Sequence, residues 1–207
     1  MRKIFAIVII IVNGLFCSGY ATAQQKQSSS LLVITAQNNP NLKERNIVNN
    51  YTFTDSTGKP VKLSDFRGKW LMVDVWYSGC GACITANAAM RTVHDSLAKE
   101  GIVFMSISVD KNREKWLASI TPGALKSKMN PWAGKYVPAK GTITLYTSGS
   151  GHDNDFRRIF VPNDLYPTLL LYDKEGSLIT DNPPRPDVNP NDLINFIRSK
   201  RRLSEDF

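Results

Sequence analysis

Two cysteines separated by two residues, Cys80 and Cys83, are the part of this sequence best suited to chemistry. Thiols at this spacing can close a small disulfide reversibly, and the thiolate is the nucleophile in thiol-disulfide exchange. Residues 70–76, which precede the pair, are rich in β-branched and aromatic residues and predict a strand. Residues 84–99, which follow, lack proline and glycine and predict a helix. The cysteines are therefore expected at a strand-to-helix junction, where the helix N-terminus favours the thiolate form.

The alternative use of such a pair is half of a zinc site, which needs a second pair of ligands at a suitable spacing. The remaining cysteine is Cys17 near the N-terminus, and the two histidines, His94 and His152, are single and far apart. No metal or other cofactor is therefore expected. We favour a redox role for the two cysteines.

The first 23 residues have the three-part layout of a secretory signal peptide. Arg2 and Lys3 precede an apolar segment over residues 4–16, and residues 21–23 form an Ala-Thr-Ala cleavage signal. The apolar segment is shorter than the roughly 20 residues that span a membrane. We expect export to the periplasm or cell envelope with cleavage after residue 23. A lipid on Cys17 and a retained N-terminal membrane tether are the alternatives.

Removal of residues 1–23 leaves Cys80 and Cys83 as the whole cysteine content of the chain, so no cysteine remains for a structural disulfide. This usage favours a catalytic pair in an exported protein. The net charge of the full sequence is +8. However, no Arg and Lys stripe interleaves with aromatic residues, as a nucleic-acid groove requires, so we expect no nucleic-acid partner.

The rest of the sequence predicts a tether over residues 24–50, which are polar and rich in asparagine, followed by one domain over 51–207. Within the domain we expect a hairpin (51–54 and 60–63), a strand (102–109), a helix from Asn112 to Ile120, a loop or insertion (121–141), a strand (143–146), a short helix (153–160), a strand (168–172) with a hairpin into 177–180, and a closing amphipathic helix (189–202). This order predicts an α/β domain with a central mixed β-sheet, helices on both of its faces and an N-terminal β-hairpin extension.

Four segments in this order resemble the exported TlpA-like thiol-disulfide oxidoreductases of the thioredoxin superfamily. They are TDSTGKPVKLSDFRGKW, the run VDVWYSGCGAC around the cysteines, ISVDKNREKWLASI, and YPTLLLYDKEG. The resemblance covers roughly residues 51–202 and implies a thioredoxin-like fold, of which a CxxC beside a βαβ pattern is the signature.

The resemblance also implies roles for individual residues. Cys80 is the exposed nucleophile and Cys83 the resolving thiol, and together they form the redox disulfide. Asp74 matches the buried acid of thioredoxins, whose pKa rises on burial and which can relay a proton for Cys83. Tyr166 and Pro167 match a loop in which a cis proline faces the disulfide, and the backbone of Tyr166 is there free to hydrogen-bond an extended substrate.

Trp76 flanks the site and is assigned to substrate contact, with packing against the core as the alternative. Four features depart from the family. Gly79 stands where many relatives carry a large side chain, and Ala82 replaces a frequent proline. Ala88 stands where a helix-kinking proline is common, and the strand over 102–109 has no lysine to pair with Asp74. These departures leave the redox potential open.

The expected function is reduction of disulfides in envelope proteins by an exported oxidoreductase. We expect a monomer that acts on protein substrates with disulfides or thiols and is recharged by a membrane electron donor. A peroxiredoxin-like (AhpC/TSA) peroxidase is one alternative, but its signature places a proline and a threonine before the reactive cysteine, and residues 74–79 supply neither. A copper-handling protein of the same fold is the other, and it would use a histidine beside the two cysteines.

Overall fold

A computed structural model describes residues 51–205, without the side chains of His152 and Glu205. A seven-stranded mixed sheet forms the centre of this part of the chain. The strands are β1 (Thr52–Asp55), β2 (Pro60–Lys62), β3 (Leu71–Trp76), β4 (Val103–Ser108), β5 (Ile143–Tyr146), β6 (Thr168–Tyr172) and β7 (Leu178–Thr180). The α-helices are α1 (Gly81–Leu97), α2 (Arg113–Ile120), α3 (Asp155–Phe160) and α4 (Pro190–Glu205), and three 3-10 turns lie at Leu63–Phe66, Ala98–Glu100 and Gly151–Asp153. The expected signal peptide, the tether and Cys17 lie outside the described residues.

The strand order across the sheet is β2-β1-β5-β4-β3-β6-β7. The central strands β3, β4 and β5 are parallel, whereas β6, β7 and the β1–β2 hairpin are antiparallel to their neighbours. This arrangement confirms the predicted mixed sheet with its N-terminal hairpin. Because the carboxyl ends of parallel strands meet at one edge of a sheet, the loops after β3 and β4 lie side by side there.

Helices cover both faces of the sheet, and β3 is therefore buried along its whole length. Val73 belongs to the apolar cluster on the α3 side, whereas Met72 belongs to the cluster that includes residues of α1 and α4. Successive side chains of a strand point to opposite faces. Asp74 consequently lies on the α1 face of the sheet, between Met72 and Trp76.

The last helix is fastened to the turn that follows α1. Arg198 and Arg201 of α4 form ion pairs with the two carboxylate oxygens of Glu100, at 2.6 and 2.9 Å. Apolar residues of both helices also share one buried cluster. Within residues 51–205, no helix is both long enough and apolar enough to cross a membrane.

Candidate active site

Cys80 and Cys83 are joined by a disulfide at the start of α1. Cys80 is the N-cap residue of this helix, and its sulfur accepts a hydrogen bond from the backbone N–H of Cys83, at 3.1 Å. The free N–H groups and the positive dipole end of α1 therefore lie at the Cys80 sulfur. Cys80 keeps 5 % of its surface exposed whereas Cys83 keeps none. Cys80 is thus the less deeply buried of the two cysteines.

The buried carboxylate of Asp110 holds the loop that leads into Cys80. It accepts hydrogen bonds from the backbone N–H of Ser78 (3.0 and 3.1 Å) and from the hydroxyls of Ser78 and Ser108 (both 2.7 Å). Ser119 of α2 donates in turn to the Ser78 hydroxyl at 2.8 Å. The sequence analysis missed this network. Its signal was the presence of polar residues directly after the adjacent parallel strands β3 and β4.

Gly79 is the residue between that loop and Cys80, and its φ of +100° lies in the left-handed region that favours glycine. A Cβ at this position would lie 3.0 Å from Nε1 of Trp132. The indole of Trp132, from the 121–141 segment, is therefore in contact with the backbone next to the disulfide. No feature of the sequence around Trp132 indicated this contact.

Asp74 is 6 % exposed, and its pKa is raised to about 7 because burial penalises the charged carboxylate. Two groups act in the opposite direction. The hydroxyl of Tyr136 donates a hydrogen bond to Oδ2 at 2.5 Å, and the positive charge of Arg185 attracts the carboxylate. Oδ1 makes no hydrogen bond within the described part of the chain. A carboxyl with this pKa can take up or release a proton near neutral pH.

Trp76 is 1 % exposed and its ring is stacked on that of Tyr136, with centroids 3.5 Å apart and planes 6° from parallel. Both rings belong to the site cluster, a buried group formed by Trp76, Cys80, Cys83, Trp116, Tyr136 and Tyr146. Burial of this kind keeps the indole of Trp76 away from a docked partner. The assignment of Trp76 to substrate contact stays a prediction, and the burial of its ring favours the packing alternative.

The Tyr166–Pro167 peptide bond is cis, as expected from the sequence. Tyr166 packs against the site cluster and lines two clefts. One, of about 500 Å³, is also lined by Pro167 and Arg185, and the other, of about 560 Å³, by Tyr77 and Lys111. The ring of Tyr77 is 41 % exposed and packs edge-to-face on that of Tyr166, with centroids 5.1 Å apart. Tyr166 is thus common to both clefts, and Pro167 lines the first of them.

Among residues 51–205, no group of three or more His, Cys, Asp or Glu side chains is placed to hold a metal ion. The two cysteines are bonded to each other. Two side chains, those of Tyr136 and Arg185, interact with the buried carboxylate of Asp74. Neither is an ordinary metal ligand.

The mixed sheet, the disulfide at the N-terminus of α1 and the cis proline beside it define a protein of the thioredoxin superfamily with a redox-type CxxC site. The chain belongs to the AhpC/TSA family, whose family model matches residues 45–180. The sequence analysis named this family with its peroxidase alternative. Its resemblance to thiol-disulfide oxidoreductases is confirmed by the relatives that follow.

Curated relatives include the thiol-disulfide oxidoreductase ResA of Bacillus thuringiensis (strain Al Hakam) and that of Bacillus anthracis, each 24 % identical over 132 residues. The match covers 63 % of this chain, and the chain spans 64 % of the length of these relatives. Similar folds include the thioredoxin domain of a thiol-disulfide oxidoreductase from Bacteroides vulgatus, with a TM-score of 0.54 and 21 % identity over 72 % of this chain and 91 % of the other. A thiol-disulfide oxidoreductase from Bacteroides fragilis has a TM-score of 0.54 and 18 % identity over 72 % and 96 %.

Proposed function

We propose that this protein is an exported thiol-disulfide oxidoreductase that reduces disulfides in proteins of the cell envelope. The observation that carries the proposal is the Cys80–Cys83 disulfide at the start of α1, in which Cys80 keeps a small exposed fraction and Cys83 keeps none. Similarity to proteins named thiol-disulfide oxidoreductases supports it. The signal-peptide layout of residues 1–23 supports the exported location.

The reaction begins with the reduced protein, in which the helix N-terminus favours the Cys80 thiolate. This thiolate attacks one sulfur of a partner disulfide, the partner S–S bond breaks, and the first partner thiolate leaves. Cys83 then gives its proton to Asp74 and attacks the Cys80 sulfur, which releases the second partner thiolate. The partner gains two electrons and this chain is left with the Cys80–Cys83 disulfide.

Asp74 suits the second step because its pKa of about 7 allows it to accept a proton near neutral pH. It lies on the face of the sheet that is covered by α1, the helix that carries Cys83. Its hydrogen-bonded partner, Tyr136, belongs to the same buried cluster as both cysteines.

The partner's polypeptide would lie in the clefts on either side of Tyr166. In this arrangement the backbone of Tyr166 hydrogen-bonds an extended segment, and Pro167 and the exposed ring of Tyr77 contact its side chains. The aromatic edges of Tyr77 and Tyr166 provide apolar contact area with little loss of side-chain freedom.

Each turnover leaves the protein oxidised, so two electrons must return to it from another thiol. We assign this step to a dithiol electron donor in the membrane, with the protein acting as a monomer close to the membrane surface. A retained N-terminal tether would serve the same purpose.

The experiment that tests the function is capture of partners with Cys83→Ala, which stalls the mixed disulfide on Cys80. Proteins linked to this variant should be released by dithiothreitol, and Cys80→Ala should capture none. We also expect the parent protein to reduce a protein disulfide in a steady-state assay. Capture by Cys80→Ala alone, or no reduction by the parent, would contradict the proposal.

Because the chain belongs to the AhpC/TSA family, peroxidase activity is a second function to test. In that reaction the Cys80 thiolate attacks the O–O bond of a peroxide, and Cys83 condenses with the resulting sulfenic acid to give the disulfide and water. We expect the reduced protein to react with hydrogen peroxide far more slowly than with a protein disulfide. The reverse order of rates would make the peroxidase the function.

A further inference from the structure

The 121–141 segment contains no helix or strand, yet it is fastened beside the redox site. On one side it is held by α2, where the backbone N–H groups of Gly134 and Tyr136 donate to the carbonyl oxygens of Ala118 and Ser119, at 2.8 and 3.1 Å. These bonds fix the backbone on both sides of Lys135 and so define where the Tyr136 side chain begins.

On the other side the segment is held by α1, the helix that carries Cys83. The carbonyl oxygen of Val137 accepts hydrogen bonds from the side chains of Asn87, at 3.1 Å, and Arg91, at 2.7 Å. Tyr136 thus lies between two anchored backbone positions. Its ring is 1 % exposed and stacked on Trp76.

The hydroxyl of Tyr136 is the hydrogen-bond donor that the structure provides to the carboxyl of Asp74. The hydroxyl itself accepts from the Ser106 hydroxyl of β4 at 3.2 Å, which completes a chain from Ser106 through Tyr136 to Asp74. Hydrogen bonds in such a chain polarise and strengthen one another in a low-dielectric interior. The chain therefore favours the ionised form of Asp74.

Two titratable or charged groups interact with Asp74. They are Tyr136 from the 121–141 segment and Arg185 from the connection between β7 and α4. Cys83 lies on α1, the helix that covers the same face of the sheet. Burial and the neighbouring Asp74 raise the pKa of Tyr136 well above its usual value, so its hydroxyl keeps its proton and stays a donor. Asp74, whose Oδ1 makes no hydrogen bond within the described residues, lines a cavity of about 20 Å³, which is large enough for one water molecule.

We propose that Tyr136 is a positioning residue of the redox reaction, and that through it the docked 121–141 segment sets the pH range in which Cys83 resolves the mixed disulfide. This inference rests on the proposed function. The proton moves from the Cys83 sulfur to Asp74, and the Tyr136 hydroxyl stabilises the carboxylate that must be present to receive it. The hydroxyl neither gains nor loses a proton.

The test uses Tyr136→Phe, which keeps the ring on Trp76 and removes only the hydroxyl. The reduced protein is mixed with an aromatic disulfide whose released thiolate is coloured, and the two release steps are followed by stopped flow from pH 5 to 9. A hydrogen bond to a charged group is strong enough to shift the midpoint of the second step upward by about one pH unit when it is removed. The first step, which is the attack by Cys80, should keep the parental rate.

Tyr146→Phe is the matched control. Its ring belongs to the same site cluster and is stacked on Trp116, but its hydroxyl donates to the carbonyl oxygen of Lys111 at 2.9 Å and not to Asp74. This variant should keep the parental midpoint. In an Asp74→Asn background, Tyr136→Phe should cause no further shift, because the acceptor is already gone.

A parental midpoint in folded Tyr136→Phe would overturn the inference and leave the oxidoreductase proposal intact. A parent protein without a second release step would instead overturn the proposed function. If Tyr136→Phe does not fold, Ser106→Ala removes the next donor in the chain and should shift the midpoint in the same direction by a smaller amount. An unchanged midpoint in a folded Ser106→Ala would then overturn the inference.

Discussion

Cys80 and Cys83 share one disulfide but differ in access and in their place on α1. Cys80 lies before the first turn, where helix N–H groups point at its sulfur, and Cys83 is buried inside that turn. We therefore expect Cys80 of the reduced protein to react with iodoacetamide much faster than Cys83 near neutral pH. Mass spectrometry of partly alkylated protein measures this. Faster labelling of Cys83 would reverse the two assigned roles.

The raised pKa of Asp74 predicts that the free energy of unfolding depends on pH. Its pKa rises from 3.8 to about 7 on folding, so between these values the folded state holds a proton that the unfolded state has lost. The stability gained from the protonated carboxyl is fully present below pH 4 and is lost as the pH rises to 7. One pKa unit corresponds to about 1.4 kcal/mol, so Asp74 should lower the free energy of unfolding by about 4 kcal/mol across this range.

Asp74→Asn should remove this part of the pH dependence, because the amide does not titrate. Urea unfolding of the oxidised protein at pH 4, 5.5 and 7 measures the difference between variant and parent. The control is Asp153→Asn at an exposed acid, which should follow the parent. Parallel curves for parent and Asp74→Asn would mean that Asp74 is ionised throughout.

Site residues that lie in a recognisable sequence motif could be predicted from the sequence. Those contributed by the 121–141 segment could not. The CxxC spacing identifies Cys80 and Cys83, and the resemblance to thioredoxins identifies Asp74. Tyr136 lies 62 residues from Asp74 in the chain, in a segment without periodicity. Its contact depends on the path of a loop, which hydrophobic patterning does not encode.

At the scale of elements, the turn before α1 depends on Gly79 and on the segment that lies against it. Gly79→Ala would place a side chain in the left-handed region, which costs about 1 kcal/mol. It would also force Trp132 to move, because the new Cβ would lie 3.0 Å from the indole Nε1. We therefore expect the melting temperature to fall further than the backbone strain alone would lower it. Thermal unfolding followed by circular dichroism checks this.

Gly58→Ala is the matched control, because Gly58 has a similar φ of +97° and no atom within 4 Å of a Cβ built there. It should show the backbone cost by itself. Trp132→Ala combined with Gly79→Ala should recover the excess loss. Equal effects of Gly58→Ala and Gly79→Ala would mean that Trp132 makes no energetic contact with the turn.

The elements themselves were largely predictable because their patterns are strong. The strands at 143–146 and 168–172 have the predicted bounds, and the side chain of Asn112 caps α2 by accepting from the N–H of Lys115. The helix expected over 153–160 begins at Asp155, because a 3-10 turn precedes it and Asn154 supplies the cap. The Asp110 network escaped prediction because it joins polar residues of separate loops.

At the scale of the whole molecule, Glu100 joins the end of α1 to the last helix. Its carboxylate is shared by Arg198 and Arg201, and it is only partly exposed, with 32 % of its side-chain surface open to solvent. Glu100→Gln should lower the free energy of unfolding by about 1 kcal/mol because two charge-assisted contacts weaken together. Urea unfolding measures this, and the rate of disulfide reduction should be unchanged.

The control for this substitution is Glu175→Gln, at an exposed acid in the β6–β7 turn, which should stay within about 0.5 kcal/mol of the parent. Equal stability of both variants would show that α4 is held by its apolar face alone. Glu100 is 98 and 101 residues from its two partners in the chain, so the pairing could not be seen from local spacing.

The contact between Trp132 and the turn before Cys80 also gives the molecule an optical property. Disulfides quench the emission of nearby indoles by accepting an electron from the excited ring. Trp132 touches the backbone beside the disulfide, and Trp76 lies in the same buried cluster as both sulfurs. Reduction removes the quencher, so the intrinsic fluorescence of the protein should increase when the disulfide is reduced and decrease when it forms again. The redox state of a single site can thereby be followed in real time without any attached dye.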